Sequence, residues 1–325
     1  MIVVTGGAGF IGSALVKKLN ALGHTNILVV DNLAETEKWR NLVGKKIADY
    51  MHRDTFLEWI TGHGREVKTI FHMGACSTTT ERDVDFLMSN NFAYSKAMWW
   101  WGTEHSGNLI YASSAATYGD GAQGYSDEPH KIGTLRPLNA YGYSKQLFDQ
   151  WATAQAARGN APTQWAGLKF FNVYGPNEYH KGRMASVIYH AFGQAKDTGE
   201  VRLFKSYRDG IADGEQRRDF VYVKDCVDVM AWLMEHPEVC GIYNLGTGSA
   251  RTFRDLAEAT LKAMGLPINV SYIDMPEDLR GRYQYFTEAS MDRLWEAGYP
   301  ATFRSLEDGV TDYVGNYLDS GLPYL

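Results

Sequence analysis

The sequence has little of several features that mark whole classes of protein. Only three of its 325 residues are cysteine, at Cys76, Cys226 and Cys240, and their scattered positions predict a reducing compartment and no metal site. A basic excess is missing, because the formal net charge is -6, and this argues against non-specific nucleic-acid binding. No apolar run approaches the roughly 20 residues of a membrane helix. The first predicted strand begins at residue 2, leaving no room for a signal peptide, so we expect a cytoplasmic protein.

Internal repeats, low-complexity segments and polar linkers are also missing. What is present is an alternation of strand and helix patterns through the first half of the chain. This alternation is typical of right-handed βαβ units, and it predicts an α/β fold with a Rossmann-type doubly wound parallel sheet. The predicted strands of this half are Ile2–Val4, Ile27–Val30, Lys46–Ala48, Thr69–Met73, Asn108–Ser113 and Trp165–Phe171.

After Asn172 the alternation stops, and a stretch rich in Gly, Lys, Arg and Tyr follows. We therefore expect a smaller α/β substrate lobe, interleaved with the first lobe and with the ligand between them. The predicted dinucleotide-binding domain comprises residues 1–172 and 219–245, and the predicted substrate domain comprises residues 173–218 and 246–325.

The first twelve residues predict a dinucleotide site. A short apolar strand leads into Gly6, Gly9 and Gly12, which allow a tight turn, close approach of a pyrophosphate and close packing of the following helix. The bound anion is expected on the N–H groups of that helix N-terminus. Asp31 ends the second predicted strand, where an acidic residue holds a ribose hydroxyl.

Tyr141 and Lys145 are four residues apart and share one face of a predicted helix. A nearby cation stabilises a phenolate and lowers the pKa of a tyrosine, so Tyr141 is the candidate base that takes a proton from a substrate hydroxyl. Ser114 follows the fifth strand at its carboxyl end and is the candidate partner of the reacting oxygen, with Ser113 as the alternative.

Three consecutive tryptophans, Trp99 to Trp101, permit a sugar-stacking platform, but consecutive helix positions point in different directions. We therefore favour packing in the core or at an interface.

Together these features resemble the extended short-chain dehydrogenase/reductase superfamily, over essentially the whole chain. The resemblance rests on four motifs, Thr5–Gly12, Tyr111–Gly119, Tyr141–Lys145 and Phe171–Pro176. Within it the sequence resembles the ADP-glyceromanno-heptose 6-epimerase family, at Phe71–Thr80, Glu178–Ser186, Arg218–Val223 and Leu279–Gln284.

The resemblance implies a ring-like homo-oligomer, commonly a pentamer. We expect NADP as the cofactor, with NAD as the alternative: Asp31 by itself favours NAD, but Lys38 and Arg53 match cofactor positions of the family and outweigh it if both converge there. It implies inversion of C6 of an ADP-heptose that is used for the lipopolysaccharide core. It marks Ser114, Tyr141 and Lys145 as catalytic and Lys181 as a second proton acceptor. The implied cofactor positions, beside Gly6, Gly9 and Gly12, are Phe10, Ile11, Asp31, Asn32, Lys38, Arg53, Ala75, Cys76, Ser77, Asn90, Tyr141, Lys145, Val173 and Lys181. The implied substrate positions are Asn172, Arg183, His190, Phe204, Lys205, Ser206, Tyr207, Arg218 and Tyr283.

The chain departs from the family pattern at three places. Met73 stands where an acid is expected, Arg183 replaces a small serine, and the loop Tyr207–Gln216 looks longer. Another nucleotide-sugar 4-epimerase or a dehydratase is the alternative, although Ala115 and Ala116 disfavour a dehydratase, which usually has an acid/base pair after the serine. A non-catalytic dinucleotide sensor is disfavoured because it has no need of a phenolate.

Overall fold

The computed structural model describes residues 1–280 and 283–325. The strands, in chain order, are β1 (Ile2–Thr5), β2 (Ile27–Asp31), β3 (Asp49–His52), β4 (Thr69–His72), β5 (Asn108–Ser114), β6 (Gln164–Phe170), β7 (Asn172–Tyr174), β8 (Val201–Phe204), β9 (Arg217–Arg218), β10 (Phe220–Tyr222), β11 (Gly241–Leu245), β12 (Arg251–Thr252) and β13 (Val270–Ile273). The helices are α1 (Phe10–Ala21), α2 (Arg53–His63), α3 (Val84–Leu87), α4 (Tyr94–His105), α5 (Ala140–Ala157), α6 (Val187–Thr198), α7 (Val223–Glu235), α8 (Phe253–Ala263), α9 (Glu277–Arg280), α10 (Asp292–Glu296) and α11 (Leu306–Tyr313).

A seven-stranded parallel sheet forms the centre of the described fold, in the order β11-β6-β5-β4-β1-β2-β3. Its inner strands are continuous apolar runs with few exposed positions, which is what helices on both faces of a parallel sheet require. The Rossmann-type fold class predicted from the sequence is confirmed.

The strand order reverses between β1 and β4, because β1 pairs with β2 on one side and β4 on the other. Doubly wound sheets bind ligands outside the carboxyl ends of the strands at such a switch point. The glycine-rich turn after β1 and the turn after β4 both lie there.

The third predicted strand, Lys46–Ala48, was placed too early: the strand is β3, which pairs Asp49–His52 with Leu28–Asp31. As an edge strand, β3 is exposed or half-buried throughout and lacks the apolar run that marks a buried strand. Between β4 and β5 the chain forms α3, a π-helical segment at Met88–Ala93 and α4 in succession.

Two of the three consecutive tryptophans pack in the core, as the sequence favoured. Trp99 and Trp101 are buried, whereas Trp100 is 37% exposed. Trp99 packs against the rings of Phe148 and Trp151 on α5.

The described residues divide into two compact units. The first unit is Met1–Phe170, Cys226–Leu245 and Ser290–Pro300; the second unit is Phe171–Asp225, Gly246–Ala289 and Ala301–Leu325. In the first unit, Arg293 of the late segment donates hydrogen bonds to the carbonyls of Asp127 and Ile242. The domain boundaries drawn from the sequence stay a prediction.

The second unit contains three small sheets, in which β7 pairs with β10, β8 with β13 and β9 with β12. Its apolar core packs α6 and α8 against β8, with Ala191, Leu203 and Leu261 buried. Buried Asp219 accepts hydrogen bonds from the backbone N–H groups of Thr247 and Ala289 and so fixes the segments around it. Within residues 1–280 and 283–325, no helix has the length and apolar character to cross a membrane.

Candidate active site

The turn between β1 and α1 is shaped by glycines. Gly6 has a φ of 67°, and a side chain there would lie 2.6 Å from the backbone nitrogen of Gly74 in the turn after β4. A side chain at Gly12 would lie 2.1 Å from the carbonyl oxygen of Gly6. The helix α1 therefore starts close to the strand, with Phe10 and Ile11 in its first turn. A cradle that a Cβ would fill, at a helix N-terminus that carries no acidic residue in its first turn, fits the pyrophosphate of a dinucleotide.

Asp31 ends β2 and is almost fully buried. Its Oδ2 accepts a hydrogen bond of 2.9 Å from the N–H of Ala8, and its Oδ1 accepts one of 2.7 Å from the N–H of Asn32. The ammonium of Lys38 lies 2.7 Å from Oδ1 and compensates the charge of the carboxylate. Asp31, the residue expected to hold the ribose, is thus paired with Lys38, one of the two cations expected at the cofactor site.

Arg53, the other expected cation, follows β3, and its neighbour His52 is the register partner of Asp31. The guanidinium of Arg53 donates to the side-chain oxygen of Asn90 and lies 3.1 Å from Asp54. Asp31, Lys38 and Arg53 therefore all belong to the carboxyl ends of the neighbouring strands β2 and β3 and the segments that follow them.

The expected cofactor turn, Ala75–Ser77, is held by a residue that the sequence did not single out. Buried Asn91 accepts a hydrogen bond of 2.9 Å from the N–H of Cys76 and donates one of 3.0 Å to the carbonyl of Cys76. The same amide donates to the hydroxyl of Ser144 on α5 over 3.1 Å. Asn91 thereby couples this turn to the helix that carries the candidate base.

Ser114, Tyr141 and Lys145 lie together at the carboxyl end of β5. The N-terminus of α5 is capped by Asn139, whose side chain accepts from the N–H of Gly142 over 2.8 Å, and Tyr141 is in its first turn. Tyr141 and Ser114 are joined by a side-chain hydrogen bond. The ammonium of Lys145 donates to the carbonyl of Ala112 over 2.8 Å.

The two candidate serines differ in their surroundings. Ser113 is buried, and its hydroxyl donates to Asp149 over 2.6 Å. The hydroxyl of Ser114 accepts from the N–H of Ala116 over 3.1 Å and also reaches Tyr141. The geometry therefore places Ser114, and not Ser113, beside the phenol.

The pKa of Tyr141 differs from the sequence-based expectation that a nearby cation lowers it. Burial raises the pKa of Tyr141 above its usual value, and the hydrogen bond to Ser114 opposes this rise only in part. Lys145 directs its ammonium at Ala112, and burial lowers the pKa of Lys145 to about 8. In the protein itself the phenol is therefore neutral at neutral pH.

The expected second acceptor, Lys181, lies in the second unit, in the 3-10 segment Tyr179–Met184 together with Arg183. Burial lowers the pKa of Lys181, and the nearby carboxylate of Glu178 opposes this effect. Glu178 is itself buried and holds the segment, because it accepts from both the N–H and the hydroxyl of Ser186 over 2.5 and 2.7 Å.

Other expected substrate and cofactor residues of the second unit lie on regular elements. Asn172 and Val173 form part of β7. His190 is on α6, where it lines a pocket of about 500 Å³ together with Tyr179, Tyr189 and Phe192.

A third group surrounds the end of β8. Arg218, on β9, is buried with its guanidinium 5.6 Å from the ring centre of Phe253 and 5.2 Å from that of Tyr283. Phe204 ends β8, and the segment after it comprises Lys205, Ser206 and Tyr207. Lys205 and Tyr207 both bond to Asp274, each over 3.1 Å. A guanidinium beside two aromatic rings fits a nucleotide that carries a diphosphate.

Part of the Leu279–Gln284 motif, namely Gly281 and Arg282, lies outside the described residues. Asp149, which follows Lys145 by four residues on α5, is a further residue of this site that the sequence motifs do not include. The spacing of Tyr141, Lys145 and Asp149 along one helix face was the available signal.

The comparisons agree with this architecture. The NAD dependent epimerase/dehydratase family matches residues 2–246. A curated relative named ADP-L-glycero-D-manno-heptose-6-epimerase, from Nitratidesulfovibrio vulgaris (strain DP4), is 55% identical over 328 residues, covering 100% of both chains. A relative of the same name from Fusobacterium nucleatum subsp. nucleatum is 53% identical over 335 residues, again covering 100% of both. The crystal structure of Helicobacter pylori ADP-L-glycero-D-manno-heptose-6-epimerase has a TM-score of 0.79 and 27% identity, covering 97% of this chain and 95% of that chain.

Proposed function

Because the chain belongs to the NAD dependent epimerase/dehydratase family, we propose that it is an epimerase that converts ADP-D-glycero-D-manno-heptose to the L-glycero form by inverting C6. The observation that carries the proposal is the full-length identity of 55% to a relative named for this activity. The grouping of Ser114, Tyr141 and Lys145 at the carboxyl end of β5 supports the proposed chemistry.

In the first half of the reaction, Tyr141 acts as the base. When bound, the oxidised nicotinamide brings a positive charge and accepts and returns hydride. The Tyr141 phenolate takes the proton of the C6 hydroxyl while the C6 hydrogen leaves with its electron pair, and C6 becomes a ketone. Ser114 donates a hydrogen bond to the reacting oxygen, and Lys145 supplies a fixed positive charge one helical turn from Tyr141.

Inversion requires a second acid/base group. The hydride must return to the opposite face of the ketone, so the terminal carbonyl rotates and its oxygen points away from Tyr141. We propose that Lys181 gives the proton to this oxygen, because burial lowers its pKa and so makes its ammonium a better acid than an exposed one. In the reverse direction Lys181 takes the proton and Tyr141 returns it.

For binding of the ADP-sugar we propose the residues that the sequence implied. Arg218, which lies beside two aromatic rings, provides a guanidinium for the diphosphate. Arg183 and His190 are proposed contacts of the sugar, and Phe204–Tyr207 and Tyr283 those of the nucleotide. Arg183, in place of the serine expected from the family pattern, adds one positive charge to this set.

For the cofactor we propose NADP, with NAD as the alternative. An uncompensated Asp31 would repel a ribose 2′-phosphate. The ion pair with Lys38 offsets that repulsion, and Arg53 follows β3, the strand that pairs with the end of β2. The further expectations, a cytoplasmic homo-oligomer that supplies heptose for the lipopolysaccharide core, rest on the family resemblance and stay proposals.

Product analysis tests the function directly. The purified protein with its cofactor is incubated with ADP-D-glycero-D-manno-heptose, and proton NMR follows the sugar signals. The expected result is an equilibrium mixture of the two C6 epimers, with no net consumption of cofactor. A product epimerised at C4, or a deoxy-keto sugar, would assign the alternative classes, and an unchanged sugar would support a non-catalytic dinucleotide sensor.

A further inference from the structure

A buried ion pair lies next to the Ser114, Tyr141 and Lys145 group, and the proposed reaction does not use it. Asp149 on α5 and Lys169 on β6 both have fully buried side chains, and their Nζ and Oδ2 atoms are 2.7 Å apart. Burying two charges costs several kcal/mol per ion before their attraction is counted, so a buried pair is weak evidence for stability. The hydrogen bonds that the pair makes to its neighbours are therefore more informative than its contribution to stability.

The pair holds the segment that presents Ser114. Asp149 accepts a hydrogen bond of 2.6 Å from the hydroxyl of Ser113, the register partner of Lys169. Lys169 donates to the hydroxyl oxygen of Thr117 over 2.8 Å, and that hydroxyl donates to the carbonyl of Ser114 over 2.8 Å. Each member of the pair therefore anchors one of the two serines.

Lys145 holds the residue that precedes the two serines, Ala112. It precedes Asp149 by one helical turn on α5 and donates to the carbonyl of Ala112. Three consecutive residues at the end of β5, Ala112 to Ser114, are thus fixed by side chains from α5 and by the contact of Lys169 with Thr117.

The buried charges do not cancel. Lys145 and Lys169 bring two positive charges and Asp149 brings one negative charge, so these three groups carry one positive charge in excess. The carboxylate of Asp149 adds to the effect of burial in raising the pKa of Tyr141, so the charges of the cluster act on the phenol. Among the described residues, titratable groups that face this cluster from β4 and its turn, from β5 and from the following 3-10 segment are His72, Cys76, Tyr111 and Tyr118. Burial lowers the pKa of His72 to about 3 and raises the pKa of Tyr111 and Tyr118, so these three are neutral at neutral pH.

Resting on the proposed function, we propose that Asp149 and Lys169 are positioning residues for the acid–base chemistry: the pair fixes Ser113 and Ser114, and its two charges, with that of Lys145, set the electrostatic balance in which Tyr141 becomes a phenolate. One excess positive charge matches the single negative charge that a phenolate brings.

Charge variants test the electrostatic part. Asp149→Asn leaves two excess positive charges and favours the phenolate, so the acidic limb of the pH profile of kcat/KM moves to lower pH. Lys169→Met leaves no excess positive charge and disfavours the phenolate, so the acidic limb moves to higher pH. Each shift is expected to be about one pH unit, the lower end of what a nearby charge produces. The double variant keeps one excess charge, and its limb returns to the wild-type position. A structural role alone does not move the limb in opposite directions.

Lys169→Arg is the matched control, since it keeps the charge and the limb stays in place. The electrostatic role is overturned if the acidic limb of kcat/KM stays in place in both single variants, or moves in the same direction in both. Either single variant can fail to fold, because it leaves a buried charge unpaired. In that case the double variant decides, because it removes one charge of each sign and leaves the net charge of the cluster unchanged. If the acidic limb of its pH profile is displaced by about one pH unit, the electrostatic role is also overturned.

Thr117→Val tests the positioning part without a change of charge. It removes the link between Lys169 and the carbonyl of Ser114, so kcat is expected to fall about tenfold with KM and the limb unchanged. An unchanged kcat overturns the positioning role. Wild-type protein is assayed by NMR in parallel: no epimer from the wild type refutes the proposed function, whereas an active wild type with unchanged variants refutes only the role of the pair.

Discussion

The two lysines proposed to take part in the chemistry lie in very different surroundings. Lys145 is 4% exposed, on an 18-residue helix with a side-chain N-cap, and its ammonium is held by a carbonyl of β5. Lys181 lies in the six-residue segment Tyr179–Met184, where every residue is at least partly exposed and Gly182 leaves the helical path with a φ of 53°. Burial nevertheless lowers the pKa of both lysines.

This difference separates two ways of building an acid–base centre. The geometry around Lys145 depends on contacts between residues far apart in the chain, such as Asn91 with Cys76 and Ser113 with Asp149. The segment of Lys181 is held by a short-range bond, that of Glu178 with Ser186, and by a long-range bond at its first residue, where the hydroxyl of Tyr179 donates to the carbonyl of Pro323. Because Lys145 is buried and residues 179–184 are partly exposed, we expect the first centre to be more sensitive than the second to changes in its surroundings.

The largest expected effect breaks the first centre. Tyr141→Phe removes one hydroxyl and keeps the buried ring, so the fold stays intact while epimerisation falls by roughly 10²–10⁴-fold. Turnover is measured by NMR, and circular dichroism checks the fold. Tyr143→Phe, on the exposed face of the same helix, is the matched control and keeps wild-type turnover. Near-normal turnover of Tyr141→Phe would show that this tyrosine is not the base.

The next effect breaks the second centre while sparing the first. Lys181→Met is expected to lower epimerisation by roughly 10²-fold or more, because no group gives the proton after rotation. With an analogue that carries an aldehyde at C6, hydride passes between two aldehyde molecules without inversion, and this exchange persists. Lys196→Met, an exposed lysine on α6, is the control. Full epimerase activity of Lys181→Met leaves Tyr141 as the sole acid/base group.

A smaller effect concerns the cofactor end of the first unit. Arg53→Glu places a negative charge after β3, next to the strand that ends in Asp31. We expect it to weaken NADP binding about tenfold more than NAD binding, because only NADP carries the 2′-phosphate. Dissociation constants for both cofactors, from fluorescence titration, give the ratio. Equal weakening of the two would remove the reason for choosing NADP.

The smallest effect is on stability and tests how firmly the first centre is supported. Buried His72 bonds to Thr5 over 2.7 Å and to Ser95 over 2.9 Å, and its pKa is lowered to about 3. An unfolded histidine titrates near 6.5, so between about pH 6.5 and 3 only the unfolded state binds this proton. The contribution of neutral His72 to the free energy of unfolding is therefore complete above pH 6.5. It declines as the pH falls below 6.5, by up to about 1.4 kcal/mol per pH unit.

His72→Asn is expected to flatten that decline, whereas His52→Asn, at an exposed histidine, leaves it unchanged. The free energy of unfolding, measured by urea denaturation from pH 7 to 4, gives the slopes. Equal slopes for wild type and His72→Asn would mean that His72 is protonated in the folded state.

The local patterns in the sequence sufficed for the parts of the fold that depend on neighbours in the chain. Alternating strand and helix patterns predicted the parallel sheet, and the spacing of Gly6, Gly9 and Gly12 predicted the turn into α1. Edge strand β3 was misplaced because an exposed strand carries no buried apolar run. The placement of residues 290–300 in the first unit had no sequence signal, because it depends on contacts of Arg293 with distant carbonyls.

In the candidate site the same division holds. The sequence determined the residue types and their order: the glycines, Asp31, two serines at a strand end, and a tyrosine and lysine one helical turn apart. Only the tertiary structure decided that Ser114 meets Tyr141 while Ser113 bonds to Asp149, and that Lys145 bonds to Ala112. The reason is physical: burial, hydrogen-bond partners and the sum of nearby charges arise when distant strands and helices pack, and no spacing along the chain contains them.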